Sequence, residues 1–201
     1  MKKGLIITLV VIGLVVLFGF MYVKGIYNGM VDKQEAVVSG WSQVENVYQR
    51  RMDLIPNLVE VVKGYAAHER ETLSAVTEAR ARLGGVIQLS AQDLNDPQAI
   101  ERFQQAQNSL GGALQRLMMV TENYPDLKAN ESFLKLQDQL EGTENRIAVE
   151  RRRFNELAQS FNTYIKRFPQ IIFANMFGFM EKAYFAATEG ADQAPQIDMS
   201  M

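Results

Sequence analysis

An uninterrupted apolar run near the start of the chain limits what the rest of it can be. The run spans Gly4 to Val23, twenty residues without a charged side chain. An α-helix rises about 1.5 Å per residue, so the run is about 30 Å long, the thickness of a bilayer's hydrocarbon core. Lys2 and Lys3 precede the run, Lys24 follows it, and Tyr22 lies where aromatic side chains favour the interface. The sequence therefore predicts a membrane-spanning helix.

A cleaved signal peptide is the alternative interpretation of this run. Signal peptides have a shorter apolar core and a cleavage site with small residues at two alternate positions. The core here is longer, and the sequence Phe18-Gly19-Phe20-Met21 is a poor cleavage site. We therefore expect residues 1–25 to form an uncleaved anchor, so that the remaining residues form a domain tethered to a membrane.

The composition limits the classes of function open to this domain. The 201 residues include no cysteine and one histidine, and the net charge is −2. Without cysteine there can be no disulfide, no thiolate nucleophile, no cysteine-ligated metal and no lipid anchor on cysteine. A nucleic-acid-binding protein needs a strongly basic face, which the charge does not supply, so no nucleic acid partner is expected.

Helical periodicity runs through residues 26–187 and predicts an all-α domain. The first stretch continues from the anchor, so little or no linker is expected, and its apolar stripe is Tyr27, Met30, Gln34, Val37, Trp41, Val44, Tyr48 and Ile55. Pro56 lacks the N–H of a continuous helix and should kink or turn the chain near residues 53–56. A kink is favoured because the neighbouring side chains are apolar, and Asp53 could cap the next helix.

Two further helices are predicted before the next proline. The second stretch runs from Asn57 to Leu83 and ends at Gly84-Gly85, after which a loop continues to Asp96. Asp96 is the predicted N-cap of the third stretch, Pro97–Asn123. A glycine pair, Gly111-Gly112, lies inside this helix and suggests that another backbone approaches closely there.

The fourth stretch has the most regular pattern in the chain. It begins after Asn130, a predicted cap, and ends at Pro169. Large apolar residues recur at intervals of seven, at Phe133, Leu140, Ile147, Phe154, Phe161 and Phe168. This heptad pattern predicts a long, straight helix packed in coiled-coil fashion. The fold class that follows is an N-terminal transmembrane helix continuous with a long up-and-down antiparallel helical bundle.

The end of the chain differs from the bundle helices. Residues 170–187 are apolar and aromatic, and this segment is too short to span a membrane. Residues 188–201 are polar and are expected to be a disordered tail.

Four runs of sequence carry a resemblance to a known family. They are Trp41–Leu73, Glu122–Glu156, Phe161–Pro169 and Phe177–Phe185. At these spacings the chain closely resembles the LemA family of bacterial membrane-anchored proteins, from Tyr27 to about Ala187. The resemblance implies one N-terminal membrane helix and an up-and-down bundle, and it assigns no catalytic residues. Some members accompany membrane-bound zinc proteases of the heat-shock type. Members often have a proline where this chain has Ala183.

Several polar residues fall on or beside the apolar seams of two predicted long helices. They are Glu69, Thr72, Thr143, Glu144, Asn145 and Glu150. Antiparallel packing could join them in one internal layer with Arg50, Arg51 or Arg151. Buried charges must be paired, and such layers often fix register, so a structural role is favoured over a ligand site or catalysis. Replacing Glu150 with alanine should destabilise the bundle by about 1–3 kcal/mol if it leaves a buried partner unpaired.

Two other groups of residues invite a functional interpretation. His68-Glu69 suggests a metal site, but a di-iron bundle needs two Glu-x-x-His elements and this chain has one histidine. A solvated or structural role is expected for His68. Arg50-Arg51 and Arg151-Arg152-Arg153 point about 100° apart along a helix and should be solvated or ion-paired, with binding of an anion or lipid headgroup as the alternative. We predict no catalytic, cofactor-binding or metal-binding residue.

The function expected from these features is that of a non-catalytic scaffold or adaptor, not an enzyme, acting through helix surfaces and self-assembly. The alternative is an accessory factor for another membrane protein, such as a quality-control protease. Trp41, Tyr48 and residues 171–185 suggest surplus apolar surface, which could fold back on the bundle, lie in the membrane interface or contact a second copy. A homo-oligomer in the bacterial inner membrane is expected, with the N-terminus in the cytoplasm and the bundle on the outer face.

Overall fold

The computed structural model describes residues 2–84 and 89–186. This part of the chain is helical and contains no strand. The elements are α1 (Lys2–Tyr65), α2 (Arg70–Leu83), α3 (Pro97–Thr121), α4 (Pro125–Lys128), α5 (Glu131–Lys166) and α6 (Gln170–Phe177), with a 3₁₀ turn at Asp93–Asn95. The all-α prediction is confirmed, and the predicted tail over residues 188–201 lies outside the described residues.

The anchor and the first bundle helix form one helix, α1, of 64 residues. Its apolar part is the one stretch in the described residues that is long and apolar enough to cross a membrane, and none of it is buried in the protein. Burial begins soon after the apolar run, at Ile26 and Met30. The predicted continuity between anchor and domain is therefore confirmed.

Helix α1 continues through Pro56, and the chain does not turn there. A proline cannot donate to the carbonyl four residues earlier, which here belongs to Met52. The side chain of Arg80 on α2 supplies the missing donor, with its Nε 3.2 Å from the Met52 oxygen. Asp53 is not a cap; it lies inside α1 and accepts a hydrogen bond of 2.8 Å from the Gln49 amide.

The prediction of a single helix from Asn57 to Leu83 is wrong. The chain leaves α1 after Tyr65 and starts α2 at Arg70, so the break lies at residues 66–69. Helix α2 then runs back beside α1, which is why Arg80 reaches a carbonyl 28 positions earlier in sequence.

Helices α1 and α5 form an antiparallel pair along the whole bundle. The cap at Asn130 is confirmed, since its side chain accepts from the Phe133 N–H at 3.0 Å. The first five heptad positions of α5 are buried. The sixth, Phe168, is 81% exposed, because the helix ends at Lys166 and the residue lies in the turn before α6.

Close approach between helices occurs at two glycines of α1. A Cβ on Gly29 would lie 2.5 Å from the Tyr164 hydroxyl, and one on Gly40 would lie 2.6 Å from Cδ1 of Leu157. No atom lies within 4 Å of the corresponding positions at Gly111 and Gly112. The predicted close approach at the glycine pair of α3 is therefore wrong, and the pair faces open space.

The bundle has two unlike halves along α1. In the half far from the anchor, which we call the distal half, α2, α3 and the start of α5 pack around the end of α1. Helix α3 begins as predicted, with the Asp96 carboxylate accepting from the Gln98 N–H at 2.9 Å. In the half next to the anchor, the proximal half, α1 and α5 are joined by the C-terminal segment.

The C-terminal segment folds back on the bundle. Helix α6 ends at Gly178, whose φ of 75° is in the left-handed region. The next residues, 179–186, are non-helical and form what we call the C-terminal strap. Within it Phe185 is buried and stacks on Trp41, with ring centroids 5.8 Å apart.

The strap covers part of the apolar surface that the sequence predicted to be in excess. Trp41 and Tyr48 are 3% and 2% exposed within a single chain, so they do not offer surface to a second copy. The Ala183 N–H donates to the Leu94 carbonyl at 2.8 Å, a bond that a proline at this position could not make.

Candidate functional site

A buried arginine lies between the two halves of the bundle. Arg51 of α1 is 4% exposed, and its Nη1 is 2.8 Å from Oε1 of Glu144 on α5. Its Nη2 donates to the backbone carbonyl of Gln107 on α3 at 3.3 Å and also to the Gln107 side-chain oxygen. The guanidinium carbon lies 5.2 Å from the ring centre of Tyr48. These four side chains form the arginine layer.

The antiparallel pairing of α1 and α5 explains why these residues meet. Position 51 on α1 faces position 144 on α5, and α3 brings Gln107 to the same level. A guanidinium has a planar set of five donors, so one arginine can bind groups from two helices. A buried ion pair is weak evidence for stability, because desolvation offsets the attraction. The layer is better explained as a device that fixes helix register.

The predicted polar layer is confirmed only in part. Arg51 and Glu144 meet, and Thr143 is buried beside them, with its hydroxyl 2.7 Å from the Gln139 carbonyl. Gln107, which completes the layer, was not predicted. Phe103, Leu110 and Leu117 of the same helix recur at intervals of seven, and Gln107 lies among them. The sequence alone does not indicate that this glutamine contacts Arg51.

The other predicted members lie elsewhere. Glu69 is at the far end of the bundle, where it accepts a hydrogen bond of 3.0 Å from the Tyr124 hydroxyl. Thr72 is half-buried on α2, and Arg50 and Asn145 are exposed. The single-layer prediction failed here because the break at residues 66–69 places Glu69 before a separate helix.

Glu150 does not have the role expected of it. It is half-buried, and its Oε2 is buried without a hydrogen-bond partner among the described residues. The expected destabilisation by Glu150→Ala requires a buried partner that would lose its hydrogen bond. Glu150 has no such partner among the described residues, so this destabilisation is not expected. The corresponding role belongs to Glu144.

The expected solvated position holds for His68 and for two of the three consecutive arginines, while the third, Arg151, binds a backbone carbonyl. His68 is exposed in the turn between α1 and α2, and Arg152 and Arg153 are exposed on α5. Arg151 turns towards the strap, where it donates to the Ala186 carbonyl at 3.0 Å and lies 4.7 Å from the Phe185 ring centre. As predicted, the three consecutive arginines do not form one patch.

Two asparagines on α5 hold the strap by its backbone. The Asn162 amide donates to the Lys182 carbonyl at 2.8 Å and accepts from the Lys182 N–H at 2.8 Å. The Asn155 amide does the same for Phe185, at 3.0 and 2.9 Å. A primary amide offers the donor and acceptor that a neighbouring β-strand would offer. The strap is therefore paired with side chains of a helix instead of with a strand.

The spacing of the two asparagines in the sequence indicates these contacts. Asn155 and Asn162 are seven residues apart, next to the buried heptad positions Phe154 and Phe161. Asparagine is a poor helix former, so a repeated asparagine beside a core seam indicates a specific hydrogen-bond partner.

Three groups have pKa values shifted by burial in the helical core. Burial raises the pKa of Tyr48, against the opposing effect of Arg151 and Arg51. Burial also raises the pKa of the Glu45 carboxyl and lowers that of the Lys182 ammonium. None of these groups converges on a cleft with a nucleophile or a general base, which is the arrangement that catalysis needs.

The described surface offers shallow grooves. One lies between α1 and α5 and includes Lys33 and Arg167, and another lies between α2 and α3 and includes Arg82 and Arg116. Both are open to solvent and differ from the enclosed, largely apolar pockets that bind small molecules. In residues 2–84 and 89–186 there is no group of three or more acidic or histidine side chains placed to hold a metal ion.

Comparison with known proteins supports a single family. The model of the LemA family matches residues 40–199. The magnetosome protein MamQ of Magnetospirillum gryphiswaldense is 31% identical over 189 residues, which cover 85% of this chain and 70% of that protein. Protein LemA of Metamycoplasma hominis is 29% identical over 173 residues, covering 86% and 74%. Magnetosome protein MamQ 2 of Paramagnetospirillum magneticum is 30% identical over 181 residues, covering 83% and 66%.

Proposed function

The chain belongs to the LemA family, and from this premise we propose that it is a non-catalytic scaffold or adaptor tethered to a membrane. The observation that carries the proposal is the continuity of α1 from the apolar run to Tyr65. A helix without a break between anchor and bundle fixes the position of the bundle relative to the anchor. The relatives described above are named as LemA or magnetosome proteins, and none of these names is that of an enzyme.

The dimensions of the bundle suit a display role. Helix α1 extends about 60 Å beyond Val23, at 1.5 Å per residue, and α5 lies along it for 36 residues. Paired helices of this length are stiffer than a linker, so surfaces on the distal half are held far from the bilayer. The helix faces turned to solvent are then the sites available for partners.

We further propose that the scaffold assembles with copies of itself through the anchor. Gly13 and Gly19 in the apolar run have no atom within 4 Å of the position that a Cβ would take, so a neighbouring helix could approach closely there. Confinement to a membrane raises the effective concentration of the chains. Because the strap covers Trp41, this side chain is not available as a contact for a second copy.

Mass measurement of the full-length protein in mild detergent tests the proposal. The chain has no cysteine, so single cysteines placed in turn at positions 12–19 can be oxidised in native membranes. We expect a mass above that of a monomer, and crosslinking that recurs with helical periodicity. A monomer in detergent without a crosslinked dimer in membranes would contradict self-assembly. A monomer that co-purifies with a different membrane protein would favour the accessory-factor function instead.

The proposed location is the bacterial inner membrane, with the N-terminus in the cytoplasm. Lys2 and Lys3 precede the apolar run, whereas Lys24 and Lys33 follow it with Asp32 and Glu35 between or beside them. Basic residues near span ends favour the cytoplasmic side, and the terminal amine adds to the N-terminal group. Protease added to intact spheroplasts should digest the bundle. Full protection of the bundle would show that it lies on the cytoplasmic side.

A further inference from the structure

The short helix α6 and the residues around it expose an apolar surface. Six residues have between 41% and 81% of their surface exposed, and we call them the apolar platform: Phe168, Ile171, Ile172, Met176, Phe177 and Met180. All six lie within residues 168–180. Isolated exposed apolar residues are ordinary, but a contiguous group marks a contact surface. The strap leaves this surface uncovered, because it covers the core around Trp41 instead.

The platform lies at the level where the anchor leaves the membrane. The Tyr27 ring contacts Phe177 and Phe179, with ring centroids 5.0 and 5.8 Å apart. Tyr27 comes four residues after Val23, the last residue of the apolar run, which is about 6 Å along a helix. The polar region on each side of the hydrocarbon core is about 5–7 Å thick. The contacts with Tyr27 therefore bring the C-terminal end of α6 to the level expected for the headgroup region.

The charges around α6 fit the same location. Lys24, just after the apolar run, and Arg167, just before the platform, are both exposed, and Lys166 is paired with Glu181 at 2.7 Å. Basic residues beside exposed aromatic and aliphatic side chains are typical of segments that lie in the membrane interface. Helix α6 is also joined to α5 by a short turn, so it cannot move away from the anchor while the bundle is folded.

We infer that the apolar platform is a second membrane contact, with its side chains inserted into the lipid interface beside the anchor. A single spanning helix leaves a domain free to tilt, whereas a second contact next to it fixes the tilt. The occupant of the platform is the bilayer, because the platform continues the apolar surface of the anchor, which is itself covered by lipid. The inference does not depend on whether the protein is a scaffold.

Two methionines provide a matched test. Met176 in the platform and Met119 in the distal half are 62% and 60% exposed, so they differ in place and not in exposure. The variants Met176→Cys and Met119→Cys of the full-length protein each carry a single cysteine, since the chain has none. Both would be spin-labelled and reconstituted in vesicles of phosphatidylcholine with phosphatidylglycerol. Collision of the label with oxygen, which concentrates in lipid, is then compared with collision with a water-soluble nickel complex.

We expect the label at position 176 to collide several-fold more with oxygen relative to nickel than the label at position 119. Equal ratios at the two positions would overturn the inference, because the platform would then be in water. A label at position 176 that is shielded from both reagents, and that shows spin coupling lost on dilution with unlabelled protein, would also overturn it. That outcome would place a second copy on the platform. Unchanged Trp41 fluorescence in both variants shows that the bundle remains folded.

Discussion

The two halves of the bundle solve the same packing problem in different ways. In the distal half, α2, α3 and α5 surround the end of α1, and ordinary helix packing covers the apolar faces. In the proximal half, α1, α5 and the start of α3 leave one side of the core open, and the strap covers that side. Phe185 fills the space between Trp41, Phe103 and Phe154, at 5.6–6.2 Å between ring centroids. A segment without helical structure therefore acts as a core element in this half.

The means of attachment differ as well. Helices satisfy their own backbone hydrogen bonds, so the distal half needs only complementary side chains. A non-helical strap brings unpaired N–H and C=O groups, which must be satisfied when they are buried. Asn155 and Asn162 satisfy them in the proximal half. The arginine layer lies where the two arrangements meet and links α1, α3 and α5 by hydrogen bonds.

The largest expected effect tests whether the strap is a core element. Phe185→Ala should lower the free energy of unfolding by about 3–5 kcal/mol, as for other buried phenylalanines. Phe133→Ala in the distal half is the control and should have a similar effect, since both side chains are buried. Urea unfolding in mild detergent, followed by fluorescence of the only tryptophan, measures both. If Phe185→Ala lowers the free energy of unfolding far less than Phe133→Ala does, the strap is not part of the core.

The junction between the halves is tested at the arginine layer. Glu144→Ala leaves the buried Arg51 without its carboxylate partner and should lower the free energy of unfolding by about 1–2 kcal/mol. The effect is limited because Glu144 is itself 45% exposed and its attraction is screened by water. Glu150→Ala is the control and should have almost no effect. Equal stability of the two variants would contradict the register role of the layer.

The glycines distinguish the halves by the sign of their effects. Gly40→Ala should lower the free energy of unfolding by about 1 kcal/mol, because the new Cβ displaces Leu157. Gly111→Ala, where the space is open, should raise it by about 0.5–1 kcal/mol through the higher helix propensity of alanine. The same unfolding measurement serves for both variants. A stabilising Gly40→Ala would show that α1 and α5 are not in close contact.

An effect similar in size to those of the glycine variants concerns the proline in the distal half. Arg80→Ala should lower the free energy of unfolding by about 0.5–1.5 kcal/mol, because the Met52 carbonyl loses its donor. In a Pro56→Ala background the backbone supplies that donor, so the effect of Arg80→Ala should shrink. A double-mutant cycle measures the difference. Additive effects would show that Arg80 does not act through the carbonyl that Pro56 leaves free.

Much of the fold was predictable because its causes are local. The apolar run gave the anchor, the heptads of α5 gave its buried face, and the caps at Asp96 and Asn130 marked helix starts that the structure confirms. These patterns depend on neighbours three to seven residues apart. A kink was favoured over a turn at Pro56, and the chain does not turn there, but the donor to the Met52 carbonyl was not predictable, since Arg80 comes 28 positions after Met52.

The strap was not predictable for a similar reason. Its contacts join positions 155 and 185, and 162 and 182, and an extended segment paired with side-chain amides has no periodic pattern. The break at residues 66–69 was also missed, since its sequence contains neither glycine nor proline. Half of the arginine layer could be predicted, because charged residues beside an apolar seam indicate pairing. Gln107 could not, because its role depends on where α3 lies.

Hydrogen exchange of the strap amides tests the central claim that the strap belongs to the core of the proximal half. The N–H groups of Lys182, Ala183 and Phe185 donate to oxygens at 2.8, 2.8 and 2.9 Å. In the full-length protein in mild detergent, a peptide covering residues 179–186 should retain protected amides as long as peptides from residues 37–48 of α1. If the strap amides exchange at the rate of an unstructured chain while α1 stays protected, the strap does not belong to the core of the proximal half.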